Sequence, residues 1–269
     1  MPSTAVGLRS PGRSDCSDTQ GRRPAKDGDS PPTAVEYCPD MRLVTWNVAR
    51  RGASSALPLA ELEPDVVVLP EWGRLPMSAP DGFTSLVEFG KVGEFGLAVA
   101  ARGEWSVTRA SLPAITGEVI GGVEVDGPSP FRLVAVWSCF SGKPKPAFNP
   151  VTEAITSWSD WLTGWPVVVA GDFNTGGWWQ EIRDGSMSHF PIVDQLDAIG
   201  MHSAYHVARG IGQGVDEEPT HWHSRGGRYM IDHVFTPRNW QINSVVVGAE
   251  EQWRERSDHA PVVVDVTPN

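Results

Sequence analysis

Apolar residues along this chain gather into short runs of strand length, and several of those runs end on a polar tip. Runs at 42–48, 65–70, 95–101, 105–111, 118–125, 131–138, 166–171, 229–235, 244–248 and 261–266 predict strands. Apolar spacing near the helical period predicts helices over 54–63, 151–163 and 192–199, the last closed by Gly200. No internal repeat is evident, and periodicity alone gives a mixed α and β, sheet-rich domain. The polar tips carry more information. Arg42–Asn47 ends on Asn47, and Asp65–Glu71 ends on Glu71. The run from Trp165 closes on Gly171-Asp172-Phe173-Asn174, and Asp232 is embedded in the run Tyr229–Phe235. Near the end of the chain, Ser257-Asp258-His259-Ala260-Pro261 leads into Val262-Val263-Val264. Carboxylates carried at strand ends by a buried sheet are a common way to build a site on a rigid scaffold.

Residues 1–40 look different. They hold Pro, Gly, Ser, Asp and Arg without a periodic apolar pattern, so they are expected to form a disordered N-terminal extension to a domain over 41–269. They contain no apolar stretch of signal-peptide length. Met41 falls directly before the first strand and is a candidate working start. Among 269 residues, ordinary in composition, there is room for one large core, and no run approaches a membrane span. Cys16, Cys38 and Cys139 form an odd set without zinc-type spacing, which points to a reducing cytoplasm without disulfides, and a monomer is expected.

The formal net charge is −11. The first 40 residues hold five basic and six acidic side chains, leaving 17 basic against 27 acidic over 41–269. Nonspecific nucleic-acid binders are usually basic, because phosphate contacts dominate their affinity. The acidic balance therefore weighs against long DNA as substrate unless cations gather locally or a divalent metal offsets the carboxylates.

The Asp258-His259 pair has the chemistry that metal-assisted hydrolysis of a phosphate ester needs. A carboxylate can hold a cation or orient a base, and an imidazole can sit against a phosphoryl oxygen or the attacking water. Alone, such a pair is common. Together, Thr-Trp-Asn, Pro-Glu, Gly-Asp-Phe-Asn, Ile-Asp-His-Val-Phe and Ser-Asp-His-Ala-Pro resemble, in family order, the endonuclease/exonuclease/phosphatase superfamily of DNase I and exonuclease III.

The resemblance implies an α+β fold: a four-layer α/β/β/α sandwich, two mixed sheets face to face with helices outside. It implies Mg²⁺ (or Mn²⁺) as cofactor, held chiefly by Glu71, with Asn47 and Asp258 completing the shell. Hard oxygen donors suit these ions. It implies that Asp172 positions and deprotonates the attacking water and that Asn174 donates to a phosphoryl oxygen. It further implies that His259 contacts the phosphate, its ring held by Asp232. An Asx turn after a buried strand would equally explain Asp172 and Asn174 locally, though not their place in the motif order.

One departure stands out. Many members of that superfamily carry His or Tyr at the end of the strand before the long helix, where Phe131–Ser138 places Trp137. An indole donates one hydrogen bond but carries no charge. Trp at this place, with Ser203–His206 reading Ser-Ala-Tyr-His, resembles a small bacterial subgroup. Trp137, Trp72 and Trp178 are candidate substrate contacts that could stack on bases, although most of the twelve Trp residues are expected to be buried. Lys143 and Lys145 lie in a Pro-rich loop, by default a solvated linker. His221-Trp222-His223 could be a zinc pair, but zinc sites want three or four N or S ligands and no further arrangement follows.

The expectation is a divalent-metal-dependent phosphoesterase acting on nucleic acid, without a membrane or protein partner. A small phosphate-ester substrate is the alternative. A catalytically weak binding protein is a third reading, against which the seven intact polar residues argue.

Overall fold

The computed structural model of the chain describes residues 40–51, 59–115, 119–138, 150–177 and 189–269. The extension expected over 1–40 therefore lies outside the described residues except for Asp40, as do Trp178, Trp179, Lys143 and Lys145. In chain order the elements begin with β1 (Met41–Thr45), α1 (Leu59–Leu62), β2 (Val66–Leu69), β3 (Ser85–Phe89), β4 (Leu97–Ala101), β5 (Ser106–Arg109) and β6 (Val119–Asp126). Next come β7 (Phe131–Trp137), α2 (Pro150–Ser157), α3 (Ser159–Leu162), β8 (Val167–Asp172), α4 (Phe190–Ala198), β9 (Met201–Ser203) and α5 (Ala204–Arg209). The chain closes with β10 (His221–Trp222), β11 (Arg228–Tyr229), β12 (Asp232–Pro237), β13 (Gln241–Val247), α6 (Glu250–Trp253) and β14 (Val262–Thr267).

These strands form two six-stranded sheets, ordered β13-β14-β1-β2-β4-β3 and β5-β6-β7-β8-β12-β9, beside a small β10-β11 hairpin. Both sheets are mixed: β1–β2 and β7–β8 run parallel and the other pairs antiparallel. With helices outside, this is the expected sandwich.

Strand alternation decides what faces what, because successive side chains point to opposite faces. Leu133, Ala135 and Trp137 of β7, Val168 and Ala170 of β8, and Val234 of β12 join Leu43, Val67, Val99 and Val264 in the larger core. Their neighbours Val134, Val136, Val167, Val169 and Phe235 pack instead with Val151, Ala154, Ile155, Ile192 and Leu196 of α2 and α4. By the same period, Asp172 and Asp232 share the inner face of the second sheet, and His233 takes the helix face.

Most predicted strands are present, with shifted ends. The helix predicted over 151–163 breaks at Trp158 into α2 and α3. The run 229–235 divides because the amides of Ile231 and Asp232 both donate to Thr220 Oγ1, at 3.0 Å each, instead of extending one ladder. β3 went unpredicted, being an edge strand with half-exposed positions. Of the predicted helix 54–63, only Leu59–Leu62 forms α1, and 52–58 lie outside the described residues. Trp46, Trp72, Trp105, Trp137, Trp158, Trp222, Trp240 and Trp253 are buried, as expected for most of the indoles, whereas Trp165 is exposed.

One glycine is dictated by packing. Gly171 has φ +145°, and a Cβ there would lie 1.9 Å from the carbonyl oxygen of Val136 on β7. Only Gly lets β7 and β8 approach this closely, one residue before Asp172.

Candidate active site

Four strand ends converge at one end of the two sheets. Val48 donates to the Pro70 carbonyl at 3.1 Å and Arg50 to that of Glu71 at 2.9 Å, tying the segments after β1 and β2 together. Ala49, Arg50 and Glu71 sit in the left-handed region at φ 48°, 67° and 51°. Asn174 does so at φ 50°. Each such non-glycine residue costs about 1 kcal/mol or more and persists only where its surroundings over-determine it, a pattern that gathers at functional sites. The last segment is tied in by Ser257, whose hydroxyl donates to the Asn47 carbonyl at 2.7 Å and accepts the His259 amide at 3.1 Å. The Trp46 indole donates to the His259 carbonyl at 3.0 Å.

The side chains these segments carry meet. Asn47 Nδ2 donates to Asp172 Oδ2 at 3.0 Å and lies 3.4 Å from Glu71 Oε1, while its Oδ1 accepts the Ala49 amide at 3.0 Å. Asn174 donates to Asp172 twice, from its backbone amide at 2.9 Å and from Nδ2 at 3.0 Å. It also donates to the Ser138 carbonyl at 2.6 Å. Asp232 pairs with Asp172 across β8 and β12, and its Oδ2 accepts from His259 Nδ1 at 2.8 Å. The ligand atoms of Asp172, Asp232 and His259 lie within 4.8 Å of one another, all buried. Glu71 is mostly buried and accepts from Arg50 Nε at 2.9 Å. Asp258 is 56% exposed, its carboxylate 3.9 Å from His221 Nε2.

Electrostatics follow from burial. Desolvation, then the charge of Asp232, raises the Asp172 carboxyl to about 7, against the opposing help of His259, Asn174 and Asn47. Burial pulls the His259 imidazolium down. The charge and hydrogen bond of Asp232, with the charges of Asp172 and Asp258, overcome it and raise the group to about 9. His221 is lowered to about 4, first by burial and then by His259.

The donor set fits a hard divalent cation. Asp172 and Asp232 bring buried carboxylate oxygens together beside His259, Glu71 lies 3.4 Å from the Asn47 amide, Asp258 lies beside His221, and Asp232 Oδ1 is buried with no hydrogen-bond partner. The charge of Asp232 helps raise the buried Asp172 carboxyl, a repulsion that a dication would relieve.

Other expected residues fall differently. Trp137 pairs with Asp172 in the β7–β8 register and is 8% exposed, at the edge of the site. Trp72 is 0% exposed and belongs to the core, so it has no surface to offer a substrate and serves packing instead. The rings of His221 and His223 lie 5.9 Å apart. Among the described residues, the one metal-capable group of three is Asp172, Asp232 and His259. Two participants escaped the sequence, Arg50 beside Glu71 and Thr220 holding the start of β12, while His221, weighed there only as half of a zinc pair, lies against His259. Ser257 sat inside a motif already singled out, but the partners of the other three are distant in the chain. A cavity of about 480 Å³ between Leu162, Trp165, Ile199 and Pro237 lies at the opposite strand ends. It contains none of this chemistry.

The sequence profile of the Endonuclease/Exonuclease/phosphatase family matches residues 44–259. No curated protein matches the chain. Among solved structures, the endonuclease/exonuclease/phosphatase from Beutenbergia cavernae DSM 12333 is similar at 20% identity and TM-score 0.55, over 85% of this chain and 71% of that one. The endonuclease domain of TRAS1, a telomere-specific non-LTR retrotransposon, matches at 18% identity and TM-score 0.60, over 85% and 98% of the two chains. The human Nocturnin catalytic domain matches at 17% and 0.59, over 85% and 93%. At these identities the likeness is one of fold. No helix among the described residues is long and apolar enough to cross a membrane.

Proposed function

The chain belongs to the endonuclease/exonuclease/phosphatase family, and on that premise we propose that it is a divalent-metal-dependent phosphodiesterase whose substrate is nucleic acid. The observation that carries the proposal is the buried Asp172–Asp232–His259 group, with Asn47, Asn174 and Glu71 gathered around it.

Glu71, Asp258 and the Asn47 amide would hold Mg²⁺ or Mn²⁺, which when bound supplies Lewis-acid stabilisation of charge on the phosphoryl oxygens. The chain's own residues do the rest. Asp172, held by Asn47 and Asn174, orients a water and takes its proton as the water oxygen bonds to phosphorus. A carboxyl near neutrality is well matched to that task. The bond from phosphorus to the leaving oxygen breaks in line. His259 keeps one nitrogen on Asp232 and donates from the other to a phosphoryl oxygen, where negative charge builds. The leaving oxygen takes a proton from solvent and Asp172 returns its own to solvent, so the products are a hydroxyl and a phosphomonoester. Asn174 orients Asp172 and has a second role as donor to the phosphate.

A second reading, a small phosphodiester or phosphomonoester as substrate, is favoured by the 27 acidic against 17 basic residues of 41–269. The TRAS1 neighbour is described as an endonuclease domain, which supports nucleic acid as the first choice. The deciding experiment incubates the full chain with supercoiled plasmid and Mg²⁺ or Mn²⁺, beside Asp172→Asn and an EDTA control. Nicking lost in both controls is the expected result. A folded, metal-binding protein that leaves plasmid intact but hydrolyses bis(p-nitrophenyl) phosphate would replace nucleic acid by the small-ester reading. Inactivity on both substrates would overturn the proposal.

A further inference from the structure

The hairpin β10–β11 places a third histidine in the site, one that the proposed mechanism does not use. Trp222 donates its amide to the Asp258 carbonyl at 2.9 Å and Ala260 donates to that of Thr220 at 2.7 Å. His221 thereby forms an antiparallel bridge with His259. Thr220, one residue earlier, holds the amides of Ile231 and Asp232. The backbone of His221 is thus anchored to both segments that carry the site, and its ring has little freedom to leave. That ring lies 4.5 Å from the ring of His259 on one side. On the other it stacks with Tyr229 at 6.2 Å, and His223 lies 5.9 Å away.

The two nitrogens of His221 differ. Nδ1 is buried with no hydrogen-bond partner. Nε2 lies 3.9 Å from Asp258 Oδ2, beyond hydrogen-bond length but close enough for the carboxylate to favour a proton there. A neutral imidazole carries one proton. With it on Nε2, His221 has an uncommitted donor beside Asp258 and His259, on a side chain that is 15% exposed.

Across the rim the pairings run from Trp137 to Asp172, from Asp172 to Asp232 with its bonded His259, and from His259 to His221. Trp137 flanks Asp172 with a group that can neither carry charge nor accept a proton. His221 stands at the other flank.

Resting on the phosphoesterase reading above, we propose that His221 is a substrate-contacting residue whose Nε2–H donates to a non-bridging oxygen of the bound phosphate, alongside His259. It donates a hydrogen bond and transfers no proton. It adds a second donor to an oxygen whose charge grows during attack, where donors placed in advance are most effective.

The experiment uses the full chain with His221→Phe, which keeps a ring between His259 and Tyr229 but removes the donor, and His221→Gln, which restores an N–H. Orthophosphate binding in saturating Mg²⁺ is measured by titration calorimetry, with melting temperature and Mg²⁺ affinity as controls. The expected result is orthophosphate bound roughly tenfold or more weakly by His221→Phe, the range of a hydrogen bond to a charged group. Partial recovery is expected in His221→Gln, with melting temperature and Mg²⁺ affinity unchanged in both. On bis(p-nitrophenyl) phosphate, kcat should fall by on the order of 10²-fold in His221→Phe, the usual effect of losing one such donor.

Orthophosphate binding equal to wild type in His221→Phe would overturn the inference, as would wild-type protein that binds no orthophosphate. Equal losses in the Phe and Gln variants with a lowered melting temperature would assign His221 to packing. Wild type that binds orthophosphate but hydrolyses no ester would end the phosphoesterase reading, and the binding comparison would still decide the role of His221.

Discussion

At the residue scale, the candidate site holds one buried ion pair, His259 with Asp232. His259 is nearly out of solvent, where burial alone would favour its neutral form, and Asp232 reverses that preference. The sign follows directly. A histidine whose folded value is about 9 lies above the ordinary 6.5, so the pair's stabilisation is complete below pH 6.5 and is lost as pH rises through 9. Asp232→Asn removes the charge and leaves the burial, so the His259 value should fall toward or below the ordinary imidazole value. Histidine ¹⁵N chemical shifts over a pH titration of metal-free protein would read this, and an unmoved His259 would refute the account. Asp172→Asn keeps the size of the side chain but removes the carboxylate proposed as base, and hydrolysis should drop by at least about 10²-fold, the low end for general-base catalysis. Retained turnover in that variant, with intact folding, would take the role away from Asp172.

At the element scale, two contacts decide whether the second sheet can deliver its residues. Gly171→Ala would drive a Cβ into the Val136 carbonyl, in a backbone region with φ +145° that L side chains rarely adopt. Denaturant unfolding should show a loss of more than about 3 kcal/mol, in the range reserved for severe backbone and packing conflicts. A loss under about 1 kcal/mol would mean that β7 and β8 separate easily. The other contact lies behind β12, on the helix face. His233 donates from Nε2 to the Thr175 carbonyl at 2.8 Å and stacks on His189 at 4.3 Å between ring centroids. Burial first, then the neighbouring histidines, lowers His189 to about 4 and His233 to about 3. The unfolded chain then binds more protons than the folded one below pH 6.5, so the stability these groups contribute is present above 6.5 and drains away as pH falls through 4. Melting temperature should therefore drop across that window, and drop less in His189→Phe. Equal acid sensitivity in the two proteins would place the effect elsewhere.

At the scale of the whole molecule, two sheets packed face to face bring segments from β1, β2, β8, β12 and the approach to β14 to one rim, and acidic side chains concentrate there. A ligand that binds only the folded state stabilises it by mass action, about 2.7 kcal/mol at a hundred times its Kd. Mg²⁺ or Mn²⁺ should raise the melting temperature of the protein, and Glu71→Gln should remove most of that rise. A melting temperature indifferent to both ions would count against the metal site. The net charge of −11 adds an expectation for binding: affinity for nucleic acid should depend on the divalent ion and fall with added salt.

The sequence by itself determined most of the strands, because strands covered on both faces read as continuous apolar runs, as in β7 and β8. It also determined which polar residues end those strands, since a carboxylate after an apolar run is visible without any partner. Asn47, Glu71, Asp172, Asn174, Asp232, Asp258 and His259 were legible for that reason. Tertiary structure alone decided what each of them touches. The 2.8 Å bond from His259 to Asp232 joins residues 27 apart, and the contact of Asn47 with Asp172 joins residues 125 apart. No local spacing encodes either. Trp72 follows the same logic in reverse. Beside Glu71 in sequence it looked like a stacking surface, but the turn at Glu71 sends it into the core. His221 was ambiguous on its strand until the bridge to His259 gave it a neighbour. Pairing between distant segments depends on the register and packing of whole sheets, and that information exists only once the chain has folded.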